Sequence, residues 1–125
     1  MTNRRASILP ALTMGLSALT GAAWADAPVV RAVSARMVGG GWTFDVTISH
    51  PDTGWDHYAS GWEIVAPDGG VLGYRELTHP HVDEQPFTRG LSGVVIPPGA
   101  DYVLIRPRCT LDGWSGNPFH FDLPR

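Results

Sequence analysis

The residue types best suited to chemistry in this chain are its histidines and its single cysteine. The 125-residue sequence has five histidines and one cysteine, and four of the histidines fall in or beside predicted loops. Imidazole and thiolate bind transition-metal ions such as iron, copper and zinc. We therefore predict a site for one transition-metal ion, built from three or four members of this pool: His50, His57, His79, His81 and Cys109.

One part of the pool lies in a proline-bounded loop, residues 79–87. His79 and His81 flank Pro80, which favours an extended conformation for the residue before it. Side chains at positions i and i+2 of an extended chain leave on one side, so both imidazoles could face one ion. Asp83 and Glu84 follow closely enough to support that site. The alternative is that His79 and Asp83 only form hydrogen bonds with the loop backbone.

The other histidine pair follows the second predicted strand. His50 ends its inward face, Pro51 then interrupts regular pairing, and His57 follows beside Tyr58. In the alternative without a metal, His50 and Trp55 close one end of the core, and residues 52–54 are a simple turn.

Cys109 has no second cysteine with which to form an intramolecular disulfide. It shares strand parity with the apolar residues Val103 and Ile105, which predicts that its side chain points inward. Three roles stay open: a small buried apolar residue, a metal ligand, or a partner in a disulfide between chains.

The elements that position these residues are predicted to be strands. Period-two alternation is clearest at Trp42, Phe44, Val46 and Ile48, and turn residues rich in Gly and Pro separate the apolar runs. The pattern predicts an all-β, immunoglobulin-like or fibronectin III-like antiparallel β-sandwich of about seven strands. The predicted strands cover residues 29–38, 42–48, 62–66, 71–77, 88–96, 102–109 and 119–123.

The first 25 residues have the pattern of a cleavable signal peptide. Arg4 and Arg5 precede an apolar run over residues 8–19, and Ala23-Trp24-Ala25 is a small-x-small cleavage signature. The apolar run is shorter than the roughly 20 residues that a membrane-spanning helix needs. We expect cleavage after Ala25, a single domain over residues 26–125, a periplasmic or secreted location, and no membrane insertion of the mature chain.

The net charge of the mature chain limits the classes of partner that we expect it to bind. Removing Arg4 and Arg5 from the nine basic residues leaves seven against twelve acidic residues, a net charge of −5. An acidic surface disfavours nucleic acid, so the partner we expect, if there is one, is a periplasmic protein. The sequence has no Gly-x-Ser-x-Gly elbow, phosphate-binding glycine loop or zinc-protease motif, and it therefore gives no enzyme assignment.

Two short segments resemble the superoxide reductase family of desulfoferrodoxins and neelaredoxins. They are residues 50–64, with His50-Pro51 and His57-Tyr58, and residues 109–114, Cys-Thr-Leu-Asp-Gly-Trp. That family has an immunoglobulin-like sandwich and holds iron with four histidines and one cysteine. The resemblance implies that His50, His57 and Cys109 are iron ligands in an enzyme that reduces superoxide. Asp112 stands where the family has a further histidine, and the family's early Glu-Lys-His stretch is missing.

Three hypotheses follow. In the first, the protein is an exported sandwich that binds a transition metal through its loop histidines. In the second, it is a binding or structural module without a metal that recognises a protein or ligand through the 79–87 loop and the aromatic residues Trp55, Tyr58 and Trp114. In the third, it is a superoxide reductase-like non-haem iron enzyme.

Overall fold

A computed structural model describes residues 27–124, and the predicted signal peptide lies outside these residues. Between Ala27 and Pro124 the chain forms strands and turns, and it contains no helix that is long and apolar enough to cross a membrane. The strands are β1 (Val29–Val38), β2 (Gly41–Ser49), β3 (Ala59–Val65), β4 (Val71–Glu76), β5 (Phe87–Val94), β6 (Tyr102–Cys109), β7 (Gly113–Trp114) and β8 (Phe119–Asp122).

The strands form two antiparallel sheets. One sheet has the order β1-β2-β5. The other has the order β4-β3-β6, and β7 and β8 pair with different halves of β6. The prediction of an all-β, antiparallel, sandwich-like fold is thus confirmed. The described chain has eight strands where about seven were expected, because Gly113 and Trp114, which lie between the last two predicted strands, pair with the end of β6 as β7.

The core lies between the two sheets and follows the alternation of the sequence. In β2 the inward residues Phe44, Val46 and Ile48 are almost completely buried. Trp62 and Ile64 of β3, and Val103 and Ile105 of β6, meet them from the other sheet in the same core cluster. Burying apolar side chains of this size contributes roughly 1.5–3 kcal/mol each, which makes this interface the main source of the stability of the fold.

The tip of the β1–β2 hairpin departs from the burial pattern of the rest of β1. Residues 39 and 40 form the predicted turn, with Gly39 at a φ of 65°, a conformation that glycine adopts without steric cost. Met37 has the same strand parity as Val33 and Ala35, which pack against the core, but it is 56% exposed. Its neighbour Val38, of opposite parity, is 55% exposed, so both faces of β1 are exposed at this end.

Three strand ends meet at the other end of the sandwich. β2 ends one residue before His50, β3 begins two residues after His57, and β6 ends at Cys109. Ala59 pairs with Cys109 in the five-stranded sheet, whereas β2 belongs to the facing sheet. The residues that end these strands therefore approach one another across the edge of the core.

Candidate metal centre

His50, His57 and Cys109 converge at this end of the sandwich. Each offers one potential ligand atom, and the three atoms lie within 4.8 Å of one another. Ligands about 2.0–2.3 Å from a common ion lie roughly 3–4 Å apart, so small side-chain movements would close this group around a metal. Among residues 27–124, no other group of three or more histidine, cysteine or acidic residues meets the same distance criterion.

The loop between β2 and β3 brings the two imidazoles together. Pro51 ends the pairing of β2, and the loop then closes on itself: the Thr53 amide donates to the His57 carbonyl at 2.9 Å, and the His57 amide donates to the Gly54 carbonyl at 3.1 Å. The rings of His50 and His57 consequently lie 4.7 Å apart, centroid to centroid, and are nearly perpendicular.

Asp52 fixes the orientation of His50. Its side chain is completely buried, and Oδ1 lies 2.6 Å from His50 Nδ1 and accepts a hydrogen bond from the Ala59 amide at 2.9 Å. The other oxygen, Oδ2, accepts from the His81 amide at 2.8 Å. With Nδ1 of His50 held by a carboxylate, Nε2 is the atom left to bind an ion. This role was not predicted, because residues 52–54 were expected at most to form a turn; the available signal was a carboxylate two residues after a strand-ending histidine.

Two imidazole nitrogens in the cluster lack hydrogen-bond partners. His57 keeps part of its surface accessible, but its Nε2 is buried, as is Nε2 of His50, and neither atom has a partner within the protein. Buried polar atoms are nearly always hydrogen-bonded, so each exception needs an explanation. Two unpartnered nitrogens in a group that also contains a thiol are accounted for if they are metal ligands.

Cys109 completes the cluster from the end of β6. Its side chain is fully buried and its thiol forms no disulfide. The Asp112 amide lies 3.3 Å from Sγ and donates to it, and the Asp112 carboxylate oxygen Oδ2 lies 3.8 Å from Sγ. The prediction that Cys109 points inward is confirmed. The Asp112 amide would support a thiolate, the form in which cysteine binds metals, whereas the carboxylate oxygen that accepts from Sγ supports the protonated thiol.

Thr110 links the loop of His57 to the segment of Cys109. Its Oγ1 accepts from the Tyr58 amide at 3.1 Å and donates to the Asp56 carbonyl at 3.2 Å, and its amide donates to the Tyr58 carbonyl at 3.0 Å. These three bonds, two of them made by the Thr110 hydroxyl, hold the histidine loop against the end of β6 and so help to set the spacing between His57 and Cys109.

The structure does not bring His79 and His81 into this cluster. Their rings lie 4.5 Å apart, and His81 also stacks on Phe87, with centroids 3.9 Å apart and an interplanar angle of 10°. Nδ1 of His79 lies 2.9 Å from the Pro80 carbonyl, as the alternative without a metal expects. His81 therefore packs between His79 and Phe87, outside the cluster.

His81 is held in its neutral form. Arg89 Nη2 lies 2.8 Å from His81 Nε2, and because a guanidinium can only donate, Nε2 accepts. Burial lowers the pKa of His81, and the nearby charges of Arg89 and His79 lower it further. The lone pair of Nε2 is thus engaged by Arg89. Of the two acidic residues in this loop, Glu84 lies 3.8 Å from Arg89 Nη2, and Asp83 is exposed.

The aromatic residues form two separate contacts on the surface. Trp55 packs edge-on against Tyr58, with centroids 5.6 Å apart, and is 67% exposed. The expectation that Trp55 closes the core is therefore wrong. Trp114 lies on the outer face of the five-stranded sheet, where the guanidinium carbons of Arg106 and Arg108 lie 5.3 and 5.2 Å from its ring centroid.

Comparison with known proteins finds a relative that matches part of this chain. Over 79 residues, 63% of this chain, the sequence is 37% identical to a protein of Halomicrobium mukohataei described as a "Putative lipoprotein". The chain spans 38% of the length of that relative. No family model and no solved structure matches the chain, so these comparisons do not support the resemblance to superoxide reductases.

Proposed function

We propose that this protein is an exported β-sandwich that binds one transition-metal ion through His50, His57 and Cys109. The observation that carries the proposal is the convergence of three buried potential ligand atoms, two of them in residues whose Nε2 has no hydrogen-bond partner. Imidazole nitrogen and thiolate sulfur bind iron, copper and zinc, and a cluster of this kind is rarely left unpartnered in a core for stability alone.

Each residue around the cluster has a distinct part in the proposed site. His50 and His57 supply nitrogen, and Cys109 supplies sulfur as a thiolate. Asp52 orients His50 through Nδ1, the arrangement by which carboxylates fix the tautomer of metal-binding histidines. The Asp112 amide donates a hydrogen bond to the sulfur. His79 and His81 lie outside the site, and their proposed part is to pack the neighbouring loop.

Export of the protein is part of the proposal. The two arginines, the apolar run and the Ala23-Trp24-Ala25 signature support it, and so does the description of the relative from Halomicrobium mukohataei as a "Putative lipoprotein". A periplasmic or secreted protein meets metal ions directly, outside the buffering of the cytoplasm.

Elemental analysis of the purified mature protein, without a histidine tag, tests the proposal. After separate incubation with Fe²⁺, Cu²⁺ or Zn²⁺ under reducing conditions and removal of unbound metal, we expect close to one ion per chain. The variants His50→Ala, His57→Ala and Cys109→Ser should each lose it. His120→Ala is the matched control, because His120 is exposed on β8 and its Nε2 lies 2.9 Å from Asp122. Retention of no metal, or equal loss in the control, would reject the site.

The second candidate function is reduction of superoxide at a ferrous ion. It is supported by one observation: the three residues that the resemblance matches to iron ligands are the three that converge. The cluster has three ligands where that family has five, and Asp112 replaces one of its histidines. Selective retention of iron, together with consumption of superoxide by the iron-loaded protein, would favour this candidate.

The third candidate is recognition of a periplasmic protein or another ligand without a metal. The exposed pair Trp55 and Tyr58 supports it, since tryptophan and tyrosine are enriched at contact surfaces. If this candidate is correct, Trp55→Ala should abolish the capture of a partner from a periplasmic extract. Trp114→Ala is the parallel variant for the other aromatic contact. If the wild-type protein retains a metal, the first two candidates are favoured over this metal-free one.

A further inference from the structure

We infer that the site selects copper and holds it as Cu⁺ in a three-coordinate environment of two imidazole nitrogens and one thiolate sulfur. This inference rests on the proposed metal site and specifies its ion. It is carried by the number of ligands, by their burial and by their chemical softness.

With three protein ligands, zinc or iron would need water to complete its coordination here. Structural zinc sites have four protein ligands, and catalytic zinc sites add water to three. Non-haem iron sites keep several open positions beyond their protein ligands. The described part of the chain assembles three ligands here, His50, His57 and Cys109. Asp112, whose Oδ2 lies 3.8 Å from Cys109 Sγ, does not belong to this group, and Nε2 of His81 accepts from Arg89.

The burial of the ligands points the same way. His50 is 3% exposed and Cys109 is fully buried, and Nε2 of His50 and of His57 are both buried. An ion that needs water to complete its coordination is poorly served by donors that face the protein interior. Three protein ligands suffice for copper in trigonal His₂Cys sites, where any further ligand is weak and distant. The partly exposed edge of His57 gives the ion a way in.

The donor set favours copper by its chemistry. Thiolate is a soft ligand that selects Cu⁺, and imidazole nitrogen also binds copper well. A weak axial thioether is absent from the described cluster, because Met37 pairs with Trp42 at the opposite end of β2 from His50. The distance along the strand from Trp42 to Ser49 is about 23 Å at roughly 3.3 Å per residue. The geometry therefore favours a three-coordinate Cu⁺ over a copper ion with an axial sulfur.

Competition titrations under anaerobic conditions test the choice of ion. Cu⁺ is titrated in the presence of bicinchoninate, and Zn²⁺ and Fe²⁺ in the presence of chromophoric chelators, using the mature protein. We expect one Cu⁺ per chain, bound at least about 100-fold more tightly than Zn²⁺ or Fe²⁺. X-ray absorption of the Cu⁺ form should show two nitrogen and one sulfur scatterers. Cys109→Ser should lose the sulfur scatterer and most of the preference for copper, whereas His120→Ala should behave as the wild type.

The outcomes separate this inference from the proposed function. Zn²⁺ or Fe²⁺ bound as tightly as Cu⁺, a coordination number of four or more, or an unchanged preference in Cys109→Ser would overturn the copper inference and leave the metal site standing. Failure of all three ions to bind would reject both.

Discussion

Oδ1 of Asp52 lies 2.6 Å from Nδ1 of His50, and both side chains are completely buried. The same carboxylate accepts the amides of Ala59 and His81. One side chain therefore orients a proposed ligand, begins β3 and anchors the 79–87 loop. Carboxylates that hold the distal nitrogen of a metal-binding histidine raise its basicity and restrict its rotation, which gives Asp52 a direct influence on affinity.

Asp52→Asn tests this influence. The amide keeps the shape of the side chain but offers one acceptor oxygen to three N–H donors, so we expect metal affinity to fall about 10- to 100-fold. The free energy of unfolding of the metal-free protein should fall by about 1–3 kcal/mol, because a buried donor is left unpaired. Competition titration measures the affinity and urea denaturation the stability.

The matched control is Asp122→Asn. Asp122 also contacts a histidine, His120, but that pair is exposed and far from the cluster in the fold. The control should change neither quantity. Equal affinity in Asp52→Asn and the wild type would show that the carboxylate does not support a metal ligand.

Metal binding should stabilise the fold, because the three ligands come from the loop after β2 and from the end of β6 and are assembled only when the two sheets meet. An ion at 100 times its dissociation constant adds about 2.7 kcal/mol to the free energy of unfolding. For a domain of about 100 residues this raises Tm by on the order of 10 °C. Differential scanning calorimetry of the wild type with and without the ion measures the shift. Cys109→Ser should show little of it, and a full shift in that variant would place the metal elsewhere.

The buried, neutral His81 predicts that acid weakens the metal-free fold. Burial, Arg89 and His79 hold its pKa below the usual 6.5, so the unfolded chain takes up the proton first as the pH falls. The contribution of this group is fully present above about pH 6.5 and declines as the pH falls from there towards the lower folded-state pKa. Urea denaturation midpoints measured from about pH 7.5 to pH 5 test this.

His81→Gln is the variant for that experiment, since an amide oxygen can still accept from Arg89 without titrating. It should lose less stability than the wild type over the acid range, and the exposed control His120→Gln should follow the wild type. Identical pH profiles for His81→Gln and the wild type would contradict the prediction.

Replacing Trp62 or Trp55 by alanine should change the free energy of unfolding by very different amounts. Trp62 is fully buried at the centre of the core, and its replacement by alanine should reduce the free energy of unfolding by about 3–5 kcal/mol. Trp55 is 67% exposed, and Trp55→Ala should change stability by no more than about 0.5 kcal/mol and leave metal retention intact. Urea denaturation distinguishes the two. A loss of metal in Trp55→Ala would instead assign this ring to the site.

Most of the strand structure could be predicted from the sequence, because it depends on local patterns. Alternation at Trp42, Phe44, Val46 and Ile48 predicted β2 and its inward face, and the glycines at 39–41 predicted the hairpin turn. Parity likewise predicted that Cys109 is buried. The exposure of Met37 was not predictable in this way, since parity assigns a face to a residue but does not say whether another sheet covers that face.

The sequence by itself determined which residues could bind a metal and that two of them stand at strand ends. Only the tertiary structure decided which of them meet. His50 follows a strand of one sheet and Cys109 ends a strand of the other, so their approach depends on how the sheets pack, and no sequence spacing encodes that distance. His79 and His81 had the spacing for a shared ion, but Phe87 and Arg89 from the neighbouring strand provide a stacking surface and a hydrogen-bond donor for His81. Asp52 acquired its role for the same reason: its partners Ala59 and His81 are 7 and 29 residues away and are brought to one carboxylate only by the fold.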